Sequence, residues 1–284
     1  MVVLLLLDGW GVAPASVANA ITAAKTPTFL NLVKEYPVAL LNPGNNKSLN
    51  ARYLTLGSGR EITDEKTEAR VNLSSVIAAA GWKQIKIAET ERFAALTHFF
   101  NGHYEDKFPG EDWKIISSKI GSKEAKPSLT LSRTVKEIIN TISSEEAPAF
   151  LAAAIPYLDL AAAGGDFLEN KKAVETVDKI LKDIFLAVTA KNGILIITAA
   201  NGNVEKTRDL ATDLPDIGLT GNPVPLIIVG SEFKGKTIGL ADPLNSDLSS
   251  LVPAGTLADL TPTILKIMKL AKPAAMTGKS LIEF

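Results

Sequence analysis

Residues 2–11 read Val-Val-Leu-Leu-Leu-Leu-Asp-Gly-Trp-Gly. Six apolar side chains in a row, with no polar alternation, suit a strand covered on both faces, as in a parallel sheet. The acid that ends the run, Asp8, falls where open α/β sheets place their function, outside the carboxyl ends of the strands. Asp8 also has a structural reading, as a cap or hydrogen-bond acceptor for the turn that follows. Gly9 and Gly11 flank Trp10, which reads as a packing residue.

Similar runs recur downstream. Ile194–Thr198 follows the turn pair Asn192-Gly193, and Val224–Val229 ends at Gly230. Pro225 lies early in the latter run, as expected at a strand start or edge. Residues 148–155 and 85–88 are weaker strand candidates. Between these runs the apolar period changes. Val174, Val177, Leu181, Ile184 and Val188 are spaced 3, 4, 3, 4, with Lys and Asp on the other face. Residues 257–270 are similar, with Pro262 suited to a first turn. Residues 72–80 form a helical pattern stopped by Gly81, and 134–142 opens with a Thr-x-x-Glu capping pattern at Thr134 and Glu137. Strands alternating with helices of this length predict an α/β layer fold around a mainly parallel sheet. The polar stretch 61–70 is the best linker candidate.

Composition narrows the function. The chain has 284 residues, 46% hydrophobic and 21% charged, enough for a sizeable core. A net charge of −1 offers no electrostatic case for nucleic acid or an anionic membrane. With no cysteine, disulfides, thiolate metal sites and cysteine nucleophiles are excluded, and a cytoplasmic location fits. The apolar run at the start is too short for a signal segment and lacks a basic flank. No stretch reaches the roughly 18 apolar residues of a membrane span. The two histidines, His98 and His103, restrict imidazole-based metal chemistry.

The ordered motifs carry a family resemblance. Asp8-Gly-Trp-Gly11 is followed by Asn19-Ala-Ile-Thr-Ala-Ala-Lys-Thr-Pro-Thr28, Leu54-Thr-Leu-Gly-Ser-Gly-Arg60 and Gly81-Trp-Lys-Gln-Ile-Lys-Ile-Ala-Glu-Thr-Glu-Arg92. Then come Phe99-Phe-Asn-Gly102, Phe108-Pro-Gly-Glu-Asp112, Ile197-Thr-Ala-Ala-Asn-Gly-Asn203, Asn222-Pro-Val-Pro225, Leu257-Ala-Asp-Leu-Thr-Pro-Thr263 and Met276-Thr-Gly-Lys-Ser-Leu281. Together they resemble the cofactor-independent phosphoglycerate mutases, of the alkaline phosphatase-like metalloenzyme superfamily. The resemblance implies a three-layer α/β/α sandwich with a mostly parallel central sheet. It implies one phosphatase-type domain over residues 1–284. Residues 61–71 stand as a short linker where the family inserts a second, transferase domain that supplies much of the phosphoglycerate-binding surface.

The family's chemistry moves a phosphoryl group through a serine held between two metal ions, which activate the serine and clamp the phosphate oxygens. Mapped onto this chain, the nucleophile position falls on Leu49, with Ser48 beside it; Ser48 otherwise reads as a loop serine. The family's Asn-Pro-Asp-x-x-Gly-His corresponds to residues 157–163, keeping Asp159 and replacing the histidine by Ala163. Thr-Ala-Asp-His-Gly-Asn corresponds to residues 198–203, with Ala200 and Asn201 at the two ligand positions. A further histidine maps near Leu219. The catalytic lysine becomes Arg92, which keeps charge and changes geometry, and the histidine after it becomes Ala95.

Asp8 and Asp159 are thus the vestigial metal-ligand candidates, and Ser48 and Arg92 the weak catalytic candidates. Two carboxylates cannot build a two-metal cage; they leave room for one weakly held, hydrated ion. The lost ligands also relieve the like-charge repulsion of a metal-free pocket. The expectation is a degenerate, catalytically inactive relative with no cofactor; Mn²⁺ or Mg²⁺ is the ion to expect if any is retained. Its role would be binding or regulatory, toward a protein partner or a small anionic ligand near Arg92, Arg60 and Lys83. The alternative is a metal-dependent phosphoglycerate mutase or phosphohydrolase with residual activity through Asp8, Asp159 and Ser48. The turn at residues 57–60 has two readings, a tight turn or a phosphate cradle. His98 is expected in a strand-like apolar run and His103 in an exposed loop.

Overall fold

Strand β1 is Val2–Leu7, and all six of its residues are buried. A computed structural model describes the whole chain except residues 45, 119–126, 213, 240–241 and 284. In chain order there follow α1 (Ala20–Ala23), α2 (Pro27–Glu35), β2 (Val38–Asn42), α3 (Leu49–Ser58), α4 (Leu73–Ala79), β3 (Gln84–Glu89) and α5 (Thr90–Ala94). A π-helical turn, Ala95–Phe99, extends α5. Then come β4 (Glu111–Ile116), α6 (Pro127–Ser143), β5 (Phe150–Ile155), α7 (Tyr157–Ala162), α8 (Phe167–Ala190), β6 (Ile194–Thr198), β7 (Val224–Val229), β8 (Gly255–Thr256) and α9 (Leu260–Ile267).

The strands form one sheet in the order β4-β3-β5-β1-β6-β7-β2-β8. From β4 through β6 all pairings are parallel; β7 runs against both β6 and β2. β1 lies between β5 and β6, with Leu4 opposite Ala152 on one side and Ile196 on the other. The continuous apolar run therefore follows from a strand flanked and covered on every side. Helices α1, α2, α6, α7 and α8 pack together as one layer. α3, α4, α9 and the π-helical turn pack as the other. The architecture is the three-layer α/β/α sandwich with a mostly parallel sheet.

The apolar runs at β1, β6 and β7 match the strands residue for residue. Pro225 pairs with Leu40 of β2, just beyond the β6 ladder, so its missing N–H costs no bond on that side. Three strands were hidden from a pattern reading: β2, β4 and the two-residue β8. β4, Glu-Asp-Trp-Lys-Ile-Ile, is an edge strand whose charges keep that edge from pairing further. β2 follows α2 so closely that its apolar residues merge with the helical pattern.

Several expectations are corrected. α6 starts at Pro127, so Thr134 is not a cap; its hydroxyl donates to Glu89 Oε1 (3.1 Å) and to the Thr130 carbonyl (3.0 Å). His98 lies in the π-helical turn, not a strand. Residues 49–58 are helical, so Gly57 and Ser58 belong to the last turn of α3 and only Gly59 and Arg60 turn out of it. Gly59 is the left-handed C-cap of α3 (φ +63°). At Gly57 a Cβ would come within 1.9 Å of the Phe100 carbonyl oxygen. Nearly every residue of α3 is buried, which erases the one-sided pattern that would mark a helix. The segment joining α3 to α4 is largely exposed, though Ile62 and Ala69 are buried.

Candidate functional site

Parallel strands β1 and β5 bring their carboxyl ends side by side, with Leu7 opposite Ile155. The next residue of one is Asp8, and the short helix after the other carries Asp159. Gly9 permits their approach: at φ +95° it has no Cβ, which would lie 2.9 Å from Asp159 Oδ1. β6 enters on the other flank of β1 and ends in the segment holding Ala200, Asn201 and Asn203.

Asp8 is fully buried. Its Oδ2 accepts from the Tyr53 hydroxyl and from Arg92 Nε, both at 2.7 Å, and its Oδ1 accepts from the Ala200 N–H at 3.1 Å. Asp159 Oδ2 accepts from the other arm of the Arg92 guanidinium. Asn201 Nδ2 and Asn203 Nδ2 donate to Asp159 Oδ1 at 3.0 and 3.1 Å. One arginine thus bridges the buried Asp8 carboxylate and the largely buried one of Asp159, with its side chain only 10% exposed.

The electrostatics follow from this sharing. Burial pushes the Asp159 carboxyl up to about 6; Asp8 adds to the rise, while Arg92 and the two asparagine amides oppose it. Burial also disfavours the Arg92 charge, but the Asp8 and Asp159 carboxylates outweigh that and hold the guanidinium charged above its ordinary range. The two directions agree: the single cation gains from both carboxylates, and one carboxylate is left undercompensated. Burial raises the Tyr53 phenol well above its usual value, and the Asp8 charge beside it adds to this, so it donates as a neutral hydroxyl.

Around this core lie Arg52 and Glu205, both buried. Arg52 donates to carbonyls of Asn46 (2.8 Å), Thr220 (3.1 Å) and Ala200 (3.4 Å). Burial lowers its pKa, against the pull of Asp8, Asp159 and Glu205. Glu205 accepts from the Asn203 N–H (2.7 Å), Asn222 Nδ2 (3.0 Å) and the Thr220 hydroxyl. Three carboxylates against two guanidinium groups leave the cluster with one negative charge.

The donor set does not fit a divalent ion. A divalent ion needs several anionic oxygens free to face it, and most acceptor positions of Asp8 and Asp159 already take a guanidinium, a phenol, a backbone N–H and two amides. Both asparagines turn N–H groups toward Asp159, and their own Oδ1 atoms are buried without partners. Among the described residues no group of three or more His, Cys, Asp or Glu side chains gathers in a metal-binding arrangement.

Of the sequence candidates, Asp8, Asp159 and Arg92 come together and Ser48 does not join them. Ser48 is the N-cap of α3: its Oγ accepts from the Ala51 N–H (3.3 Å) and donates to the Glu65 carboxylate. Arg92, Arg60 and Lys83 do not form one basic patch. Lys83 precedes β3 and pairs with Glu146 (3.1 Å), Arg92 follows the opposite end of that strand, and Arg60 donates to the Glu68 carbonyl (2.8 Å). His98 and His103 face each other, Nε2 to Nδ1 3.0 Å, and among the described residues neither hydrogen-bonds to Asp8 or Asp159. Burial and His103 push the His98 imidazole down. Tyr53, Arg52 and Glu205 were not singled out from the sequence. A signal existed for Arg52, a charge inside the apolar stretch Ala-Arg-Tyr-Leu that must find partners once buried.

A mostly parallel α/β/α sheet with acids gathered at its strand ends defines a class, and comparison with known proteins agrees. The chain belongs to the metalloenzyme superfamily, whose family model matches residues 1–272. It is 35% identical over 211 residues to the 2,3-bisphosphoglycerate-independent phosphoglycerate mutase of Moorella thermoacetica, covering 74% of this chain and 38% of that protein. The same enzyme of Rhodopseudomonas palustris is 37% identical over 212 residues, with 74% and 38% covered. The chain therefore spans about two-fifths of the length of these relatives. Among solved structures, the alkaline phosphatase of the Antarctic bacterium TAB5 shares the fold at a TM-score of 0.64 and 11% identity, over 95% of this chain and 98% of that one. Leishmania mexicana phosphoglycerate mutase matches at a TM-score of 0.63 and 22% identity, over 75% and 39%.

Proposed function

We propose that this protein is a non-catalytic, phosphoglycerate mutase-like member of its superfamily that needs no cofactor and acts by binding a protein partner. The observation that carries this is that Arg92 and neutral donors take up most of the acceptor positions of Asp8 and Asp159. Phosphoryl transfer in this class requires a nucleophile beside electrophilic cations. Here Leu49 stands at the nucleophile position and Ser48 is turned to Glu65. Residues 61–71 stand in place of the family's inserted domain, which removes the second wall a phosphoglycerate would need.

A partner is favoured over a small anion because the pocket cluster is net negative and its basic groups are already paired. Exposed Leu210, Leu214 and Ile217 lie in the stretch of chain between Glu205 and Thr220 of the site. Leu168 is exposed as well, three residues after Gly165, which approaches Pro215. Exposed apolar side chains gathered in one segment favour association with a partner. No helix among the described residues is long and apolar enough to cross a membrane, and a cysteine-free chain suits the cytoplasm. The test is metal content of the purified protein together with mutase and phosphomonoesterase assays in added Mn²⁺ and Mg²⁺. The expected result is neither stoichiometric metal nor turnover. Turnover that disappears in Asp8→Ala would establish the enzymatic alternative instead.

A further inference from the structure

Two carboxylates held together in a poorly solvated site repel each other unless a cation lies between them. In this chain that place is taken by a side chain. Arg92 Nε meets Asp8 Oδ2 at 2.7 Å, and another guanidinium nitrogen meets Asp159 Oδ2, so one planar group ties the end of β1 to the helix that follows β5. A guanidinium suits the task because it is planar, permanently charged, weakly hydrated and forked. The surroundings are organised for it: the Tyr53 hydroxyl and the Ala200 N–H occupy the remaining positions on Asp8, and the asparagine amides those on Asp159. Arg52 is close by but spends its N–H groups on backbone carbonyls, so it does not replace Arg92 between the acids.

We propose that the Arg92 guanidinium is a built-in cation that stands where this class of fold otherwise needs a metal, and that it holds the strand ends together without one. This rests on the non-catalytic reading above. It implies that the site has kept its negative charge and its need for a cation, and that the forked guanidinium at the family's lysine position now meets that need alone. Removing the guanidinium should leave a cavity between two carboxylates that accepts a small cation from solution.

Thermal unfolding of the full chain tests this. Arg92→Ala is expected to melt well below the wild type and to recover about half or more of that loss in millimolar guanidinium chloride. That concentration is too low to denature. Equimolar sodium chloride is expected to have no such effect. The wild type is expected to be insensitive to millimolar guanidinium, Mg²⁺ and Mn²⁺. If Arg92→Ala is too unstable to purify, the double variant Arg92→Ala/Asp159→Asn should fold and show no guanidinium response, because removing one acid removes the repulsion. Arg92→Lys should fall between, since one ammonium cannot span both carboxylates. A guanidinium-insensitive Arg92→Ala, or a double variant less stable than Arg92→Ala, would show that Arg92 serves only by packing. That outcome leaves the non-catalytic reading intact, whereas metal-dependent turnover in the wild type would overturn the reading itself.

Discussion

The buried pair Lys86–Glu111 offers the sharpest quantitative test of the packing. Lys86 Nζ lies 2.7 Å from Glu111 Oε1, and the two side chains are 1% and 0% exposed. Nζ also donates to Ser74 Oγ (2.9 Å) and to the Asn101 side chain, joining β3, β4, α4 and the segment after the π-helical turn. Burial lowers the lysine to about 8 while Glu111 works to hold its charge. Glu111 remains below its ordinary value despite burial, because of Lys86 and of hydrogen bonds that include the Phe108 N–H. At 2.7 Å, an effective dielectric of about 20 puts the direct attraction at roughly 6 kcal/mol, most of which offsets desolvation. Lys86→Met leaves a buried carboxylate, and breaking such a pair typically costs about 3–5 kcal/mol. The lower end applies here, because Asn101 Nδ2 still donates to both carboxylate oxygens at 3.1 Å. Glu111→Gln alone strands the ammonium and should cost about the same. The double variant strands neither charge, so it should lose only about 1–2 kcal/mol for the missing hydrogen bonds. Urea unfolding of all four proteins, followed by tryptophan fluorescence, gives the coupling energy directly. A double variant whose loss equals the sum of the single losses would refute the assignment of the pair as a mutually dependent unit.

Two further outcomes follow from individual side chains. Burial raises the Glu89 carboxyl from 4.5 to about 7, with Glu91 adding and the Thr134 hydroxyl and nearby arginines opposing. Between those pH values the folded state keeps a proton that the unfolded chain has lost, so stability should fall as pH rises, by up to about 3 kcal/mol. Glu89→Gln should abolish that slope in urea melts collected from pH 4.5 to 7; an unchanged slope would reject the role given to Glu89. Ser48→Ala should cost about 1 kcal/mol as the loss of an N-cap, with no effect on any phosphatase signal. A signal abolished by this change would restore Ser48 as a nucleophile.

Much of the architecture was legible because strand burial leaves a local signature. β1, β6 and β7 are short, unbroken apolar runs, and the period-3.6 pattern of α8 survives because one face of that helix meets solvent. α3 was not legible for the opposite reason, since burial on all sides removes the contrast that defines a pattern. The edge strand β4 was masked by charges that an edge requires. Asp178 shows the same limit at the level of caps. It lies in the middle of α8, yet its carboxylate accepts from the Thr28 and Phe29 N–H groups at 3.1 and 2.7 Å and caps α2. No local motif announces a cap contributed from about 150 residues away.

At the site, the sequence by itself determined the inventory: an acid after β1, a second at Asp159, no histidine at a ligand position, and an arginine where the resemblance places a lysine. Which of these meet was decided only by the tertiary structure. Parallel pairing of β1 with β5 places Asp8 beside Asp159. α5, entered directly from β3, swings Arg92 over both. Helix α3, unseen in the sequence, delivers Tyr53 to Asp8 and turns Ser48 away. The physical reason is that residue types set what charges a pocket must accommodate, whereas the long-range sheet register sets which charges share one low-dielectric space. There a single guanidinium can replace the cation that the acids would otherwise require.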